Sequence, residues 1–412
     1  MTEKKPSWHL FERFGIELEY MIVSKATRNV VPRVDIVLGK DENGENLSEI
    51  EHGPVGLSNE LVSHVLEIKC AEPAESFDGW SDLFHQEIES ANEKLAKIEA
   101  ELLPSAAHPF MDPLTETKLW PYEYNEIYET YNRIFNCRGH GWANLQSTHL
   151  NLSFNGDEEF GILHAAVRLL LPLIPALAAS SPYLDSKYTG YKDARIETYR
   201  HNQEKISSIA GDIIPEPVFT ESDYNKVIFD RIEKDIAPYD TKKLLNHFFL
   251  NSRGAIARFD RGAIEIRLVD IQECPAADIA IAEFEIALLR FLTTKCGATL
   301  AEQKSFTTDE LKKILFATVK DAENAEISSK KYLAAFGYAK NSASAKDLLQ
   351  YLFSRVRPQM TKTSATLLEK MLDRGTLSSA LVRQLGNTPS HESLVREYGK
   401  LAKCLAQNEL YL

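Results

Sequence analysis

A short alternating segment near the start of the chain, residues 15–20, constrains the fold most strongly. It consists of Gly-Ile-Glu-Leu-Glu-Tyr, so apolar and acidic residues alternate with a period of two. This period predicts a β-strand, in which residues i and i+2 lie on one face, so Glu17 and Glu19 point the same way. Apolar residues flank the segment on both sides, which predicts an interior strand. Because two unpaired buried carboxylates would be costly, we expect a cation to hold them.

The same arrangement recurs twice further along the chain. His149 and Asn151 share one face of a predicted strand, and Glu265 and Arg267 share one face of another, each pair opposed by aliphatic residues. For any single strand, a polar face turned to water is the ordinary explanation. Three pairs of acid–acid, His–Asn and Glu–Arg type instead favour an enclosed funnel, lined by the polar faces and covered by helices on its apolar side.

Glu67 belongs to a further alternating segment, residues 65–70, and shares a face with Lys69. Glu60 lies seven positions earlier, and residues an odd number of positions apart point to opposite faces of a continuous strand. The two carboxylates can therefore converge only if the chain bends between them, and we place that bend near Ser63 and His64.

Composition excludes several classes of protein. The chain has 412 residues, 44% hydrophobic and 26% charged, as expected of a soluble globular protein with more than one domain. Its net charge of −13, with basic residues thinly spread, argues against a nucleic-acid partner. The most apolar run, residues 167–179, contains two prolines and is too short to span a bilayer, so no membrane partner is expected.

Two further features predict a cytoplasmic location. Residues 1–6 are charged and lack the apolar region of a signal peptide. The five cysteines are odd in number and scattered, without a CxxC spacing. They predict neither a zinc site nor a disulfide framework, and we expect them to be ordinary small core residues in a reducing compartment.

Helical signals organise the rest of the chain. Residues 78–103 show the 3.6-residue period of one long helix, and residues 160–180 predict a buried helix bent by its two prolines. The tyrosine-rich segment at residues 122–131 is expected to belong to the core. From Thr307, which forms a capping box with Glu310, the pattern is helical without a strand, and the last helix is predicted to start at Thr388.

The change of pattern predicts two parts, a mixed catalytic domain over residues 1–300 and a helical region over residues 301–412. For the helical region two alternatives remain open. It packs against the outer face of the sheet, or it forms the contact of a homo-oligomer.

The inward-facing groups on the predicted strands suggest a metal and a nucleotide. They are Glu17, Glu19, Glu60, Glu67, His149 and Glu265, with Asn151, Arg195, Arg258 and Arg267 nearby. Oxygen-rich sites suit Mg²⁺ or Mn²⁺, whereas Zn²⁺ prefers more His or Cys. Five carboxylates exceed what one ion takes, so two or more ions are expected. Hard cations beside arginines favour a polyphosphate ligand such as ATP. The chain contains no Walker loop, kinase glycine loop or GxGxxG motif, so metals and arginines must hold the phosphates.

Four motifs together resemble the glutamate–cysteine ligase type 2 family of carboxylate–amine ligases, relatives of glutamine synthetase. They are Gly-Ile-Glu-Leu-Glu-Tyr, Ser-Thr-His-Leu-Asn-Leu-Ser, Ala-Ala-Ser-Ser-Pro with Tyr-Thr-Gly-Tyr, and Gly-Ala-Ile-Glu-Ile-Arg. The resemblance covers roughly residues 10–290. It implies an α+β fold, in which an antiparallel sheet curves into a half-barrel with helices outside.

The same resemblance implies roles for the site residues. By analogy, Glu19, Glu60 and Glu67 would hold one ion, and Glu17, His149 and Glu265 another. Arg195 and Arg267 match the arginines near the phosphate and the acyl donor. Asn151 stands where relatives of glutamine synthetase often have a second histidine. Arg258, close in sequence to Glu265, is kept as a third catalytic candidate.

The implied reaction is ATP-dependent amide formation. A carboxylate, in the family the γ-carboxylate of glutamate, attacks the γ-phosphate of ATP, and the acyl phosphate then reacts with an amine. No residue in the sequence specifies the amine. Two rival interpretations remain open, namely a guanidino phosphotransferase of the same superfamily and a non-catalytic nucleotide-binding relative.

Overall fold

The computed structural model describes residues 8–294 and 297–411. Two predictions fall on residues outside these ranges. They are the absence of a signal peptide at residues 1–6 and the assignment of Cys296 to the core. The strands of the described part are β1 (Phe14–Ser24), β2 (Glu49–His52), β3 (Val55–Asn59), β4 (Val65–Cys70), β5 (Ala100–Leu103), β6 (Ser147–Ser153), β7 (Tyr183–Leu184), β8 (Lys187–Tyr188), β9 (Ala255–Arg258), β10 (Ala263–Asp270), β11 (Glu326–Ile327) and β12 (Ala343–Ser344).

Eight strands form one antiparallel sheet built around β1. Its order is β2-β3-β4-β1-β6-β10-β9, and β5 also pairs with β1. Met21 pairs with Val65 of β4 and with Leu103 of β5, so β5 continues the edge of β1 that β6 occupies first. The outermost strands, β2 and β9, do not pair with each other. The sheet is therefore open, and the predicted α+β fold with an antiparallel sheet is confirmed.

Helices cover the apolar face of the sheet and make up most of the chain after residue 300. They are α1 (Val34–Leu38), α2 (Trp80–Ala96), α3 (Pro113–Glu116), α4 (Asn125–Phe135), α5 (His140–Ala143), α6 (Gly156–Leu170), α7 (Ile174–Ala178), α8 (Ala194–Tyr199), α9 (Glu221–Tyr224), α10 (Asp230–Ile236), α11 (His247–Leu250), α12 (Pro275–Thr294), α13 (Leu300–Lys304), α14 (Thr308–Asp321), α15 (Lys330–Ala335), α16 (Ala345–Val356), α17 (Lys362–Arg374), α18 (Leu377–Leu385) and α19 (His391–Gln407).

The alternation within β1 separates the core from the site. Ile16, Leu18 and Tyr20 are fully buried on the apolar face. Helix α2 packs against β3, β4 and β5, α6 packs against β10, and α12 packs against both helices. The opposite face, which carries Glu17 and Glu19, is left to the polar residues.

One helical segment, Gly156–Ala178, is long and apolar enough to span a membrane, judged over the described residues. Almost all of it is buried inside the protein, as in the core helix of a globular domain. It corresponds to the predicted buried helix. A single 3₁₀ turn, Leu171–Leu173, separates α6 from α7 at the first of the two prolines, as the predicted bend requires.

Three predictions of local structure were wrong or shifted. The long helix over residues 78–103 stops at Ala96, because Glu99 takes a positive φ of 56° and β5 then pairs with β1. The last helix starts at His391, since Ser390 rather than Thr388 supplies the cap. A short ladder, β11–β12, interrupts the helical region. The capping box of Thr307 and Glu310 is present.

Candidate functional site

The strand register places the polar residues of four strands side by side. Glu17 of β1 pairs with His149 of β6, and Glu19 pairs with Glu67 of β4. Glu265 of β10 lies opposite Asn151 of β6. Because paired residues of antiparallel strands point to the same face, the polar groups of β4, β1, β6 and β10 converge there.

The first group of potential ligands contains Glu17, His149 and Glu265. One ligand atom from each lies within 4.8 Å of the others. His149 Nδ1 lies 2.9 Å from Glu17 Oε2 and 3.9 Å from Glu265 Oε1. Asn151 Nδ2 donates to Glu17 Oε1 at 3.1 Å. The structure thus places Asn151 beside the group as a donor that orients a carboxylate.

The second group contains Glu19, Glu67 and the same His149, again within 4.8 Å. The backbone amide and the hydroxyl of Ser147 donate to Glu19 Oε2 at 2.7 and 3.0 Å. Glu67 Oε1 accepts from Ser58 Oγ at 2.9 Å and lies 3.1 Å from Lys69 Nζ. His149 is therefore common to both groups, and each carboxylate is oriented by a neighbouring donor.

Glu60 lies beside the second group, just before the turn between β3 and β4, and is close enough to Glu67 and Glu19 for their charges to act on it. The chain reverses over residues 61–64, and this turn includes Ser63 and His64, where the bend between Glu60 and Glu67 was predicted. Burial raises the pKa of the Glu60 carboxyl well above its ordinary value, and the nearby carboxylates of Glu67, Glu19 and Glu17 raise it further. Glu60 thus adds a third carboxylate to a place that already holds too much negative charge.

The other titrating groups show how the site balances its charge. Burial is the main cause that raises the pKa of Glu19. Burial also works against ionisation of Glu67, but Lys69 and His149 hold its pKa below the ordinary value. For His149, burial is outweighed by the hydrogen bond to Glu17, and its pKa is raised. The crowded acids and the one imidazole are a donor set that fits Mg²⁺ or Mn²⁺.

The three arginines differ in how they are held. Arg267 Nε lies 3.0 Å from Glu265 Oε1, and 27% of its side chain is exposed. A bulge between Ile266 and Val269 shifts the register at Arg267, whose amide bonds to the Gly254 carbonyl. Arg258 pairs with Asp260 at 2.9 Å and is 11% exposed. Arg267 is therefore the most accessible of the three cations.

Arg195 is buried in a supporting position. Its Nε donates to Asp270 Oδ1 at 2.5 Å, and the two side chains are only 3% and 0% exposed. Both of its Nη atoms lie 3.3 Å from the Arg267 carbonyl oxygen. Arg195 therefore fixes the backbone that carries Arg267, and Asp270 is already occupied by this pair.

Sequence reasoning missed several residues of the site. Ser58 and Ser147 orient glutamates, and parity with His149 could have indicated Ser147. Tyr128 and Tyr131, expected in the core, are half-buried on α4. Burial is the largest cause that raises the pKa of the Tyr128 hydroxyl, and the nearby Glu60 carboxylate is the second. Their spacing of three residues was a usable helical signal.

A cavity of about 390 Å³ opens at the Glu17 end of the site. Its lining includes Trp8, Arg13, Glu17, Asn151 and Arg261. It offers an aromatic ring and two cations beside the first ligand group.

Comparison with known proteins identifies the family. The sequence model of glutamate-cysteine ligase family 2 matches residues 13–398. An uncharacterized protein of Archaeoglobus fulgidus is 29% identical over 411 residues, which cover 97% of this chain and 100% of that one.

Two solved structures share the fold. The glutamate–cysteine ligase of Francisella tularensis, in complex with AMP, has a TM-score of 0.61 at 14% identity, over 98% of this chain and 90% of its own. The bifunctional glutathione synthetase of Pasteurella multocida has a TM-score of 0.54 at 12% identity, over 95% of this chain and 53% of its own. With a family match that spans nearly its whole length, the chain belongs to glutamate-cysteine ligase family 2.

Proposed function

We propose that the protein is an ATP-dependent carboxylate–amine ligase that activates the γ-carboxylate of glutamate as an acyl phosphate and joins it to an amine. One observation carries the proposal. Two groups of acidic ligands share His149, and Arg267 lies against one of them. Such a site can neutralise a polyphosphate at the point where a carboxylate attacks it.

The residues that would hold divalent ions follow from the two groups. Glu17, His149 and Glu265 would hold one Mg²⁺ or Mn²⁺, and Glu19, Glu60 and Glu67 a second. Bound ions would offset the charge of the phosphates and polarise the transferring phosphoryl group. Burial first, and neighbouring carboxylates second, raise the pKa of Glu19 and of Glu60, and bound cations would offset both effects.

The cavity at the Glu17 end supports a nucleotide site. It adjoins the first ligand group and offers the Trp8 ring, over which the Arg13 guanidinium lies at 5.6 Å. Trp8 can stack on a base, while Arg13 and Arg261 can meet phosphate charge. The Francisella ligase, which shares the fold, is in complex with AMP, which agrees with an adenine nucleotide as the ligand of this cavity. The acyl donor and amine would then enter from the Glu60 and Tyr128 end.

In this mechanism the chain's own residues bind and orient. Arg267 meets the charge that develops on the transferring phosphoryl group, with its backbone held by Arg195. Asn151 and Ser147 keep Glu17 and Glu19 in place. The carboxylate oxygen of glutamate bonds to the γ-phosphorus as ADP leaves. The amine nitrogen then bonds to the acyl carbon, phosphate leaves, and the amine loses a proton, which a nearby carboxylate can accept.

Hydroxylamine provides a direct test, because it traps acyl phosphates without knowledge of the natural amine. With ATP, Mg²⁺, glutamate and hydroxylamine, we expect ADP and γ-glutamyl hydroxamate in equal amounts, and no product from a Glu265→Gln variant. ADP with an N-phosphorylated guanidino compound and no hydroxamate would instead identify a phosphotransferase. Nucleotide binding without ADP release over a panel of carboxylates and amines would indicate a non-catalytic relative.

A further inference from the structure

Two segments together cross the polar face of the sheet, and we call them the strap. They are α4 and residues 239–250, which include α11. At one side, Asn59 Nδ2 of β3 donates to the Tyr128 hydroxyl of α4 at 3.2 Å. At the other, the Arg258 guanidinium of β9 lies 5.5 Å from the centre of the Phe248 ring. Since β3 and β9 lie towards opposite edges of the sheet, the strap contacts the sheet on both sides of the candidate site.

Side chains join the two halves of the strap. Tyr131 Oη donates to the Phe249 carbonyl at 3.0 Å, and Arg133 Nη1 donates to the Tyr239 carbonyl at 3.2 Å. A third contact, Lys242 with Glu126 at 2.7 Å, is largely exposed and so contributes little. All three contacts are solvent-exposed. Tyr131 is the half-buried donor among them, and we therefore take its bond to Phe249 as the latch.

Tyr131 also connects the latch to the site. Its ring lies 5.6 Å from the Trp142 ring and 6.0 Å from the Phe135 ring, so its direction is fixed by packing. Burial raises the pKa of its hydroxyl, although Arg267 lies near enough to oppose that rise. The hydroxyl therefore remains a donor at neutral pH, within electrostatic range of the arginine assigned to phosphoryl transfer.

We propose that Tyr131 is a positioning residue that latches the strap over the acyl phosphate and excludes water from it. The inference rests on the proposed function. If water replaces the amine, its oxygen bonds to the acyl carbon, the bond to phosphate breaks, and glutamate is regenerated. The net result is ATP hydrolysis without an amide. A closed strap suppresses this side reaction, and an open strap permits it.

The test compares Tyr131→Phe with a matched control, Tyr351→Phe. Tyr351 is also half-buried, and its hydroxyl donates to the Gly337 carbonyl at 2.9 Å, far from the site. Both variants lose one tyrosine–carbonyl bond and keep the ring. The first measurement is hydrogen–deuterium exchange of the amides in residues 239–250. The second is the ratio of ADP to γ-glutamyl hydroxamate, with hydroxylamine as the acceptor.

For Tyr131→Phe we expect exchange in residues 239–250 to rise about fivefold, as loss of one hydrogen bond would produce. We also expect more ADP per hydroxamate, while Tyr351→Phe matches the wild type in both measurements. Unchanged exchange would show that Tyr131 is no latch, and faster exchange with an unchanged ratio would leave it a purely structural role. If the wild type forms no hydroxamate, the proposed ligase function fails, and exchange alone decides whether the latch exists.

Discussion

The position of the Arg267 side chain on the site face was predicted from the sequence, and the structure adds its contact with Glu265. Parity with Glu265 placed its side chain on the site face, and the structure places Arg267 Nε 3.0 Å from Glu265 Oε1. Asp270 is the other acid of β10 with which Arg267 could form a salt bridge. Asp270 is taken by Arg195, which leaves Arg267 beside a potential metal ligand, where an anion between the two would be favourable.

We expect Arg267→Lys to lower kcat by roughly a hundredfold with little change in ATP affinity, because lysine lacks the planar fork of arginine. Steady-state kinetics, ATP binding and the melting temperature would be measured together. Arg231→Lys, on an exposed arginine of α10, is the control and should change none of them. An unaltered kcat with a lower melting temperature would mean that Arg267 only stabilises the fold.

Parity alone could bring most of the ligand groups together, because β-strands alternate strictly and the register then fixes neighbours. It also puts Lys69 on the face of Glu67, but it could not find Glu49 as a second partner of Lys69, since that contact depends on how β2, β3 and β4 align. The support of Arg267 by Arg195 joins residues 72 positions apart. Such pairs depend on tertiary structure, which no local pattern encodes.

Among the elements, α12 carries a buried acid that no neighbour satisfies. Glu285 is 0% exposed, and neither carboxyl oxygen has a hydrogen-bond partner within the described residues. Burial raises its pKa from 4.5 to about 8. Between pH 4.5 and 8 the Glu285 carboxyl is therefore protonated in the folded state and ionised in the unfolded state. Because the unfolded state gains from losing this proton, the free energy of unfolding falls as pH rises from 4.5 through 8.

Glu285→Gln should stabilise the protein increasingly above pH 4.5, towards a limit on the order of 5 kcal/mol above pH 8, at about 1.4 kcal/mol per pKa unit. Urea unfolding between pH 4.5 and 8.5 would measure the difference. Glu283→Gln on the same helix should destabilise it instead, because Glu283 accepts from Thr361 and Ser364. A difference between wild type and Glu285→Gln that does not vary with pH would contradict the assignment of a neutral buried acid.

Helix α14 offers a test of a signal that was visible in the sequence. Thr307 accepts from the Glu310 amide, and the Glu310 carboxylate accepts from the Thr307 amide at 2.8 Å. Thr307→Ala should cost about 1 kcal/mol of unfolding free energy. Thr366→Ala, at an exposed position inside α17, should cost little by the same urea titration. Equal losses at the two positions would mean that the cap contributes nothing specific.

Local signals of this kind were reliable where the contacts are between residues close in sequence, as in the capping box and at the proline that separates α6 from α7. They failed at β5, where four residues with helical spacing instead complete the edge of β1. Ala100 and Leu102 are fully buried there, so burial against the sheet outweighs local helix preference. Alternation predicted the individual strands with their polar faces, and the family resemblance implied the antiparallel sheet, whereas the strand order required the structure.

At the scale of the whole molecule, the concentration of acid at one place links folding to metal binding. Within the described residues, Glu17, Glu19 and His149 lie where two potential ligand groups meet. Repulsion among the neighbouring buried carboxylates of Glu19, Glu60 and Glu67 lowers the stability of the metal-free protein. An ion that binds only the folded state adds stability in proportion to the logarithm of its concentration.

We therefore expect Mn²⁺ or Mg²⁺ at about a hundred times its Kd to stabilise the protein by about 2.7 kcal/mol and raise its Tm by roughly 3 °C. A Glu17→Gln, Glu19→Gln variant should melt at or above the wild type in EDTA and gain nothing from the metal. The control double variant Glu89→Gln, Glu93→Gln, on the exposed face of α2, removes the same charge and should keep the full response.

Activity should vanish in excess EDTA and survive a zinc-selective chelator. Full turnover in EDTA, or an equal metal response in both double variants, would show that the acids are not a metal site.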